Sequence, residues 1–170
     1  RNTKKVSELK QTWKHKKNPV KVYIKAIRAY QWIKNVLIFV PLITSHSLSS
    51  VPLLTKAIGA FFAFSFVASA GYLINDLLDL NGDRAHPRKK FRPMASGNMP
   101  ILNGLILAVI LLTGGLILAS QLSFLFFVIV LFYFITSFSY SMYLKRIVLY
   151  DVFILALLYS TRVFAGGIVT

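Results

Sequence analysis

The chain has 170 residues, 56% of them hydrophobic, above the roughly 45–50% of an ordinary soluble domain. It contains no cysteine, which excludes a disulfide framework, a thiolate zinc site and a cysteine nucleophile. Its 20 Lys and Arg against 5 Asp and Glu give a charge of +15, which suits nucleic acid, lipid headgroups or phosphorylated substrates, so the positions of the cations must decide.

Residues 1–25 read as a basic cytoplasmic linker or interfacial segment, with Trp13 among lysines suiting a headgroup surface. A solvated linker is the plainer alternative. The basic stretch is far longer than the n-region of a signal peptide. With Arg1 at the start and an apolar run at Thr170, the chain is expected to be a fragment.

A helix crosses the hydrocarbon in roughly 20 residues, and five stretches approach that length. The first, Ala26 to Ser45, is entered through Trp32 and Lys34 and contains Pro41; Trp32 suits an interfacial anchor. The second, Leu54 to Leu78, has Lys56 near its start, and its small-residue string Val67-Ala68-Ser69-Ala70 suits helix packing. Nothing between Pro93 and Leu144 is charged, too long a run for one span and right for two, joined as a hairpin at Ser120-Gln121-Leu122-Ser123. The fifth begins near Val148 and carries Asp151 and Arg162.

Eleven cations fall between Arg1 and Lys34, five between Arg84 and Arg92, and two at Lys145 and Arg146. With the basic start in the cytoplasm, five crossings place all of these on one side, as the positive-inside rule requires. The opposite loops, His46 to Pro52 and Ser120 to Ser123, hold no Lys or Arg. Topology thus explains most of the charge and argues against a nucleic-acid partner.

Three of the five acids, Asp76, Asp79 and Asp83, sit within eight positions, apart from Glu8 and Asp151. On a helix this i, i+3, i+7 spacing predicts one shared face, with Asn75 flanking it. Carboxylates 4 Å apart repel by about 1 kcal/mol in water and about 4 at an effective dielectric of 20, so a cation belongs among them. Oxygen ligands without His or Cys favour magnesium. The alternative is a solvated helix end balanced by the arginines that follow. His15, His46 and His86 have no metal-ligand spacing.

The loop from Arg84 to Pro93, with Arg88, Lys89, Lys90 and Arg92, is broken by prolines and cannot be one regular helix. Its guanidinium groups beside the acids resemble a diphosphate clamp, although topology-setting charge is part of the explanation. Lys34 and Asn35 open a span, placed to reach a phosphate beside the acids. Arg162 lies inside a span and so should face a polar cavity or a partner. Asp151, eleven residues away, is about 16 Å along the helix, which leaves a substrate phosphate or an acid on another helix. A snorkelling interfacial arginine is the alternative. The 14 Phe and 8 Tyr suit lipid-facing and core packing.

The string Asn75-Asp76-Leu77-Leu78-Asp79-Leu80-Asn81-Gly82-Asp83-Arg84, followed by Arg92-Pro93-Met94-Ala95-Ser96-Gly97, resembles the first aspartate-rich motif of the UbiA prenyltransferase superfamily. Gln31-Trp32-Ile33-Lys34-Asn35, Tyr140-Ser141-x-x-Leu144-Lys145-Arg146 and Arg162-Val163-Phe164-Ala165-Gly166-Gly167 resemble its decaprenyl-phosphate phosphoribosyltransferase branch, including fusions with an upstream haloacid-dehalogenase-like domain. The resemblance implies an all-α, polytopic membrane helix bundle, residues 26–170 supplying the first five of about nine transmembrane helices. A second polar motif would lie beyond Thr170.

It further implies Mg2+-dependent transfer of 5-phosphoribosyl from phosphoribosyl diphosphate to a polyprenyl phosphate, on the cytoplasmic side of a bacterial inner membrane. Asn75, Asp76, Asp79 and Asp83 would hold Mg2+, with Asp76, Asp79 and Asp83 catalytic. Lys34, Asn35, Arg84, Arg88, Arg92, Tyr140, Lys145 and Arg162 would bind substrate. The implied partners are a phosphorylated isoprenoid lipid, a diphosphate-bearing substrate and membrane lipids. Two alternatives remain open. One is prenyl transfer from a polyprenyl diphosphate to an aromatic or quinone-precursor acceptor, against which the Gln31 to Asn35 string argues. The other is a non-catalytic, cation-binding membrane subunit.

Overall fold

A computed structural model of the chain describes residues 18–142 and 148–170, excluding the side chains of 148–151. Every regular element among them is helical. In order these are α1 (Pro19–Ala26), a 3-10 helix (Ala29–Phe39), α2 (Val40–Thr44), α3 (Val51–Leu78), α4 (Leu80–Ala85), a 3-10 turn (Lys89–Phe91), α5 (Ile101–Leu122), α6 (Phe124–Met142) and α7 (Val148–Val169). Lys145, Arg146, the side chain of Asp151 and the basic start with Trp13 and His15 lie outside the described residues.

Four helices among the described residues are long and apolar enough to span a membrane: Val51–Leu78, Ile101–Leu122, Phe124–Met142 and Val152–Val169. The expected hairpin is tighter than four turn residues. Ser123 alone joins α5 to α6, and its Oγ accepts from the Phe126 N–H at 3.1 Å, an N-cap contact.

The expected first span takes a different form. Asn18 caps α1 by accepting from the Val20 N–H at 3.0 Å, with Pro19 at the first position. α1 stops at Ala26, and Arg28 turns into the left-handed region at φ 52°. The chain then winds as a 3-10 helix and relaxes into α2 at Val40 and Pro41. Laid end to end, Ala29–Phe39 and Val40–Thr44 reach about 30 Å, because a 3-10 helix rises about 2.0 Å per residue against 1.5 Å for an α-helix. That matches the hydrocarbon thickness with fewer residues than an α-helix needs.

So long a 3-10 run needs support from its neighbours. α7 supplies some of it: Gly166 sits so close to Ile38 that a Cβ there would overlap the Ile38 carbonyl. Trp32 supplies more, donating to Ser69 Oγ at 2.9 Å, while that hydroxyl donates to the Ile27 carbonyl at 2.8 Å. Trp32 is thus tied to α3, edge-on to Phe61, Phe62 and Phe66.

α3 packs most extensively against α5 and also meets the 3-10 helix, α6 and α7. Its buried residues include Ala57, Ala60, Ala63, Val67, Ser69 and Ala70, small side chains that let helices approach where lipid offers no hydrophobic drive. At Gly115 of α5 a Cβ would stand 2.7 Å from Val67 Cγ2 and 3.0 Å from the Ala63 carbonyl. One core centres on Ile38, Phe64, Phe126, Val130 and Leu158; a second, under α1, gathers Val22, Leu73, Met94, Met99 and Ala108. Phe124, Phe153 and Phe164 stay exposed, as expected of side chains facing lipid.

The Lys25 ammonium donates to the Phe91 carbonyl at 3.2 Å, so α1 and the basic loop share one end of the bundle. At the other end Gly59, near the start of α3, lies against Leu122 beside the hairpin turn. This pairing of ends agrees with the expected topology.

Candidate functional site

α3 carries Asn75 and Asp76 in its last turn and ends at Asp79, whose ψ of 10° departs from the helical value before α4 begins. Hydrogen bonds from Asp79 N to Asn75 O at 3.0 Å and from Asp83 N to Asp79 O at 2.8 Å cross the interruption. It is therefore a bend, and Asp76 and Asp83 still face the same way. Asp76 Oδ1 receives Arg28 Nη2 at 2.6 Å and Arg92 Nη1 at 3.1 Å, and the same Arg92 nitrogen lies 2.5 Å from Asp83 Oδ2. Both acids are buried, at 3% and 1% exposure.

The cation demanded by the acid spacing is thus present as Arg92, helped by Arg28. The other two residues stand apart from this bridge. Asn75 lies about 100° around the helix from Asp76 and donates to Ser141 Oγ of α6 at 2.8 Å. Asp79, at the bend, is exposed. Among the described residues no three or more His, Asp or Glu gather as a ready cage for a metal. Asp76 and Asp83 nonetheless fit one: a single nitrogen bridges both, and hard carboxylate oxygens suit magnesium, which typically takes one or two of them with water and phosphate oxygens.

Asn75 borders a cavity of about 130 Å³, lined also by Lys34, Tyr72, Tyr140, Tyr159 and Arg162. Four separate strings of the sequence meet there. Arg162, only 5% exposed, donates from Nε to Asn35 Oδ1 at 2.8 Å, from Nη1 to the Leu158 carbonyl at 2.5 Å and from Nη2 to the Tyr133 hydroxyl at 3.0 Å. Its guanidinium lies 4.9 Å and 5.2 Å from the ring centres of Tyr133 and Tyr159. Asn35 donates in turn to Ser65 Oγ at 3.0 Å.

These acceptors are neutral oxygens, so the acid on another helix expected for Arg162 is not what holds it. The three contacts fix the guanidinium and leave its charge in place. Asn35, 2% exposed, lies behind Arg162 and is not in the wall of the cavity. Two cations, an amide and three phenols around a small cavity suit an anionic group such as a phosphate.

A second cavity, of about 150 Å³, is lined by Lys25, Arg28, Tyr30, Asp76, Arg92 and Pro93. The Arg28 guanidinium lies 4.7 Å from the ring centre of Tyr72, which borders the first cavity, so this pair stands between the two. Arg84, in the last turn of α4, and Arg88, on the loop that follows, are exposed and line neither cavity. Sequence reading missed Arg28, Tyr133 and Ser141. The need of the acids for a cation pointed only downstream, and Tyr133 sits in an aromatic helix where nothing marks it. The need of a buried arginine for acceptors was the one available signal.

A model of the UbiA prenyltransferase family matches residues 36–170. The chain is 34% identical over 161 residues to a decaprenyl-phosphate phosphoribosyltransferase of Mycobacterium tuberculosis, a match that covers 90% of this chain and 52% of that protein. A solved structure of digeranylgeranylglyceryl phosphate synthase superposes with a TM-score of 0.75 at 26% identity, over 89% of this chain and 53% of that one. A UbiA homologue from Archaeoglobus fulgidus, solved bound to GPP and Mg2+, shares the fold with a TM-score of 0.71 at 22% identity, over 87% and 53%. The chain spans about half the length of these relatives.

Proposed function

The chain belongs to the UbiA prenyltransferase family, and from that premise we propose that its full-length parent is a magnesium-dependent membrane transferase moving 5-phosphoribosyl from phosphoribosyl diphosphate to a polyprenyl phosphate. An oxygen of the lipid phosphate attacks the anomeric carbon, the bond from that carbon to the diphosphate oxygen breaks, and diphosphate leaves with the electron pair. The nucleophile is already an anion, so the protein supplies positioning and charge rather than a strong base.

The observation carrying this reading is the meeting of Lys34, Asn75, Tyr140 and Arg162 around one cavity. Two phosphorylated substrates need several fixed cations, and Lys34 with the clamped Arg162 supplies two. Asp76, Asp83 and the exposed Asp79 are the proposed magnesium ligands, with Asn75 at their edge. Bound magnesium would neutralise diphosphate charge. With the acids holding the metal, Arg92 would be available to phosphate, while Arg84, Arg88 and Lys145 would draw anions toward the site. The named activity of the M. tuberculosis relative supports the donor, and the GPP and Mg2+ bound to the Archaeoglobus homologue support a magnesium–diphosphate site in this fold. The positive-inside pattern supports a site on the cytoplasmic side, which in a bacterium would be that of the inner membrane.

The likeness to digeranylgeranylglyceryl phosphate synthase favours a second reading, in which a prenyl diphosphate is the electrophile at the same acids. One experiment separates them. Purified full-length protein with magnesium, labelled phosphoribosyl diphosphate and polyprenyl phosphate should yield label in the lipid extract. Unlabelled lipid, together with a prenylated product from a prenyl diphosphate and an acceptor such as 4-hydroxybenzoate, would reverse the ranking. With neither product, the cation-binding subunit would be the better description.

A further inference from the structure

Arg162 and Lys34 share one end of the first cavity. Both face the ring of Tyr159, the Arg162 guanidinium 5.2 Å and the Lys34 ammonium 6.0 Å from its centre. Three of the five N–H groups of Arg162 hold Asn35, the Leu158 carbonyl and Tyr133, which leaves one on each terminal nitrogen for a ligand. Among the described residues no carboxylate stands in the wall of this cavity, so an anion seated here is held by the cations of the protein without a metal ion.

This end lies well inside the bundle, away from the acids. Asn75 donates to Ser141 near the end of α6, whereas Arg162 donates to Tyr133, eight residues earlier on the same helix, about 12 Å at 1.5 Å per residue. α3 gives a similar length: its lining residues run from Asn75 back to Ala68, about 10 Å. The cavity is therefore a slot with its cations at the bottom and Asn75, beside the acids, at its mouth. Phosphoribosyl diphosphate matches that length. Seven bonds, roughly 8 Å, separate the phosphorus of its 5-phosphate from the first phosphorus of its diphosphate. One molecule can thus place its diphosphate at the acids and its monophosphate near Arg162.

We propose that the inner end of this slot is the seat of the donor's 5-phosphate, apart from the metal and diphosphate at Asp76 and Asp83; the assignment rests on the phosphoribosyl-transfer reading. Arg162 grips the phosphate through its two open N–H groups, and Lys34 adds a point charge. Ser137, Tyr140 and Ser141 line the stretch toward the mouth, where a pentose presents its hydroxyls. The phosphate of the lipid substrate suits the seat less, because a slot of about 130 Å³ has no room for a polyisoprenoid chain behind it. A prenyl diphosphate has no second phosphate to offer, so the inner cations select a sugar phosphate as donor.

Ribose 5-phosphate, which carries the monophosphate and lacks the diphosphate, isolates this seat. Its binding to purified full-length protein in neutral detergent, titrated by saturation-transfer NMR with EDTA present, should need no magnesium. Lys34→Met keeps the apolar stem and should weaken that binding about tenfold. Lys34→Arg should restore it to within about threefold of the parent, and Asp83→Asn should leave it unchanged. Magnesium diphosphate is the converse probe, lost in Asp83→Asn and held within about threefold in Lys34→Met. Unchanged helix content in each variant separates these effects from folding. Ribose 5-phosphate binding that requires magnesium, or that ignores Lys34→Met, would overturn the seat and leave phosphoribosyl transfer to its own assay. Lys34-dependent retention of polyprenyl phosphate, with no binding of ribose 5-phosphate, would overturn it by assigning the seat to the lipid. Binding of a prenyl diphosphate with magnesium, and of neither ribose 5-phosphate nor phosphoribosyl diphosphate, would overturn the seat and the donor reading together.

Discussion

Substitutions at Asn35 separate what Arg162 needs for folding from what it offers an anion. Asn35→Leu removes the acceptor 2.8 Å from Arg162 Nε and the donor to Ser65 Oγ. A lost bond to a charged group is worth about 1.5–3 kcal/mol, so the fold should lose about 2–3 kcal/mol while the charge of Arg162 persists. Asn35→Asp keeps the shape and the acceptor, and the Ser65 hydroxyl can turn to donate. A buried ion pair is close to neutral for stability, so this variant should fold like the parent. Its cost falls on the anion. A new negative charge roughly 7 Å from a phosphate in the cavity costs about 2.4 kcal/mol at an effective dielectric of 20, about fiftyfold in affinity. Thermal midpoints by circular dichroism, and equilibrium binding of labelled phosphoribosyl diphosphate to purified full-length protein, read the two effects separately. The expected patterns are opposite: a weakened fold for Leu, weakened binding for Asp. Binding by Asn35→Asp within about threefold of the parent would refute Arg162 as an anion ligand.

Asp79→Asn or Asp83→Asn in the full-length protein should abolish turnover at unchanged helix content; activity within about tenfold, or about 1.4 kcal/mol of barrier, would count against a metal role. Arg92→Ala should lower the thermal midpoint. Breaking a buried pair costs about 3–5 kcal/mol, and the 26% exposure of Arg92 reduces the expected loss to about 2–3 kcal/mol. Millimolar magnesium should then restore part of it, because a divalent ion can bridge Asp76 and Asp83; no recovery would argue against these acids as ligands. For topology, Ser49→Cys should react with an impermeant reagent on intact cells and Lys89→Cys should not; the reverse pattern would invert the bundle.

Much of the fold was legible in local pattern. The uncharged run from Pro93 to Leu144 announced a hairpin, and Val67, Ser69 and Ala70 announced close packing, because side-chain size and transfer free energy are properties each residue carries alone. The first span was misread in form. Its composition permits an α-helix, and the 3-10 winding is supported by Gly166 against Ile38 and by Trp32 on Ser69, partners that residues 26–45 do not contain.

The site divides in the same way. Spacing alone placed Asp76 and Asp83 on one face and required a cation between them, since that follows from helical geometry and Coulomb repulsion. Which cation answers was decided by tertiary structure: Arg28, 48 positions from Asp76, and Arg92 across the loop. Asn75 and Asp76, adjacent in the sequence, were sent to different cavities by their angle around α3. Arg162 found Asn35 from 127 positions away. Transfer from water to hydrocarbon is settled residue by residue and can be read along the chain. The pairing of buried polar groups depends on where helices cross, and residues so far apart carry no local mark of one another.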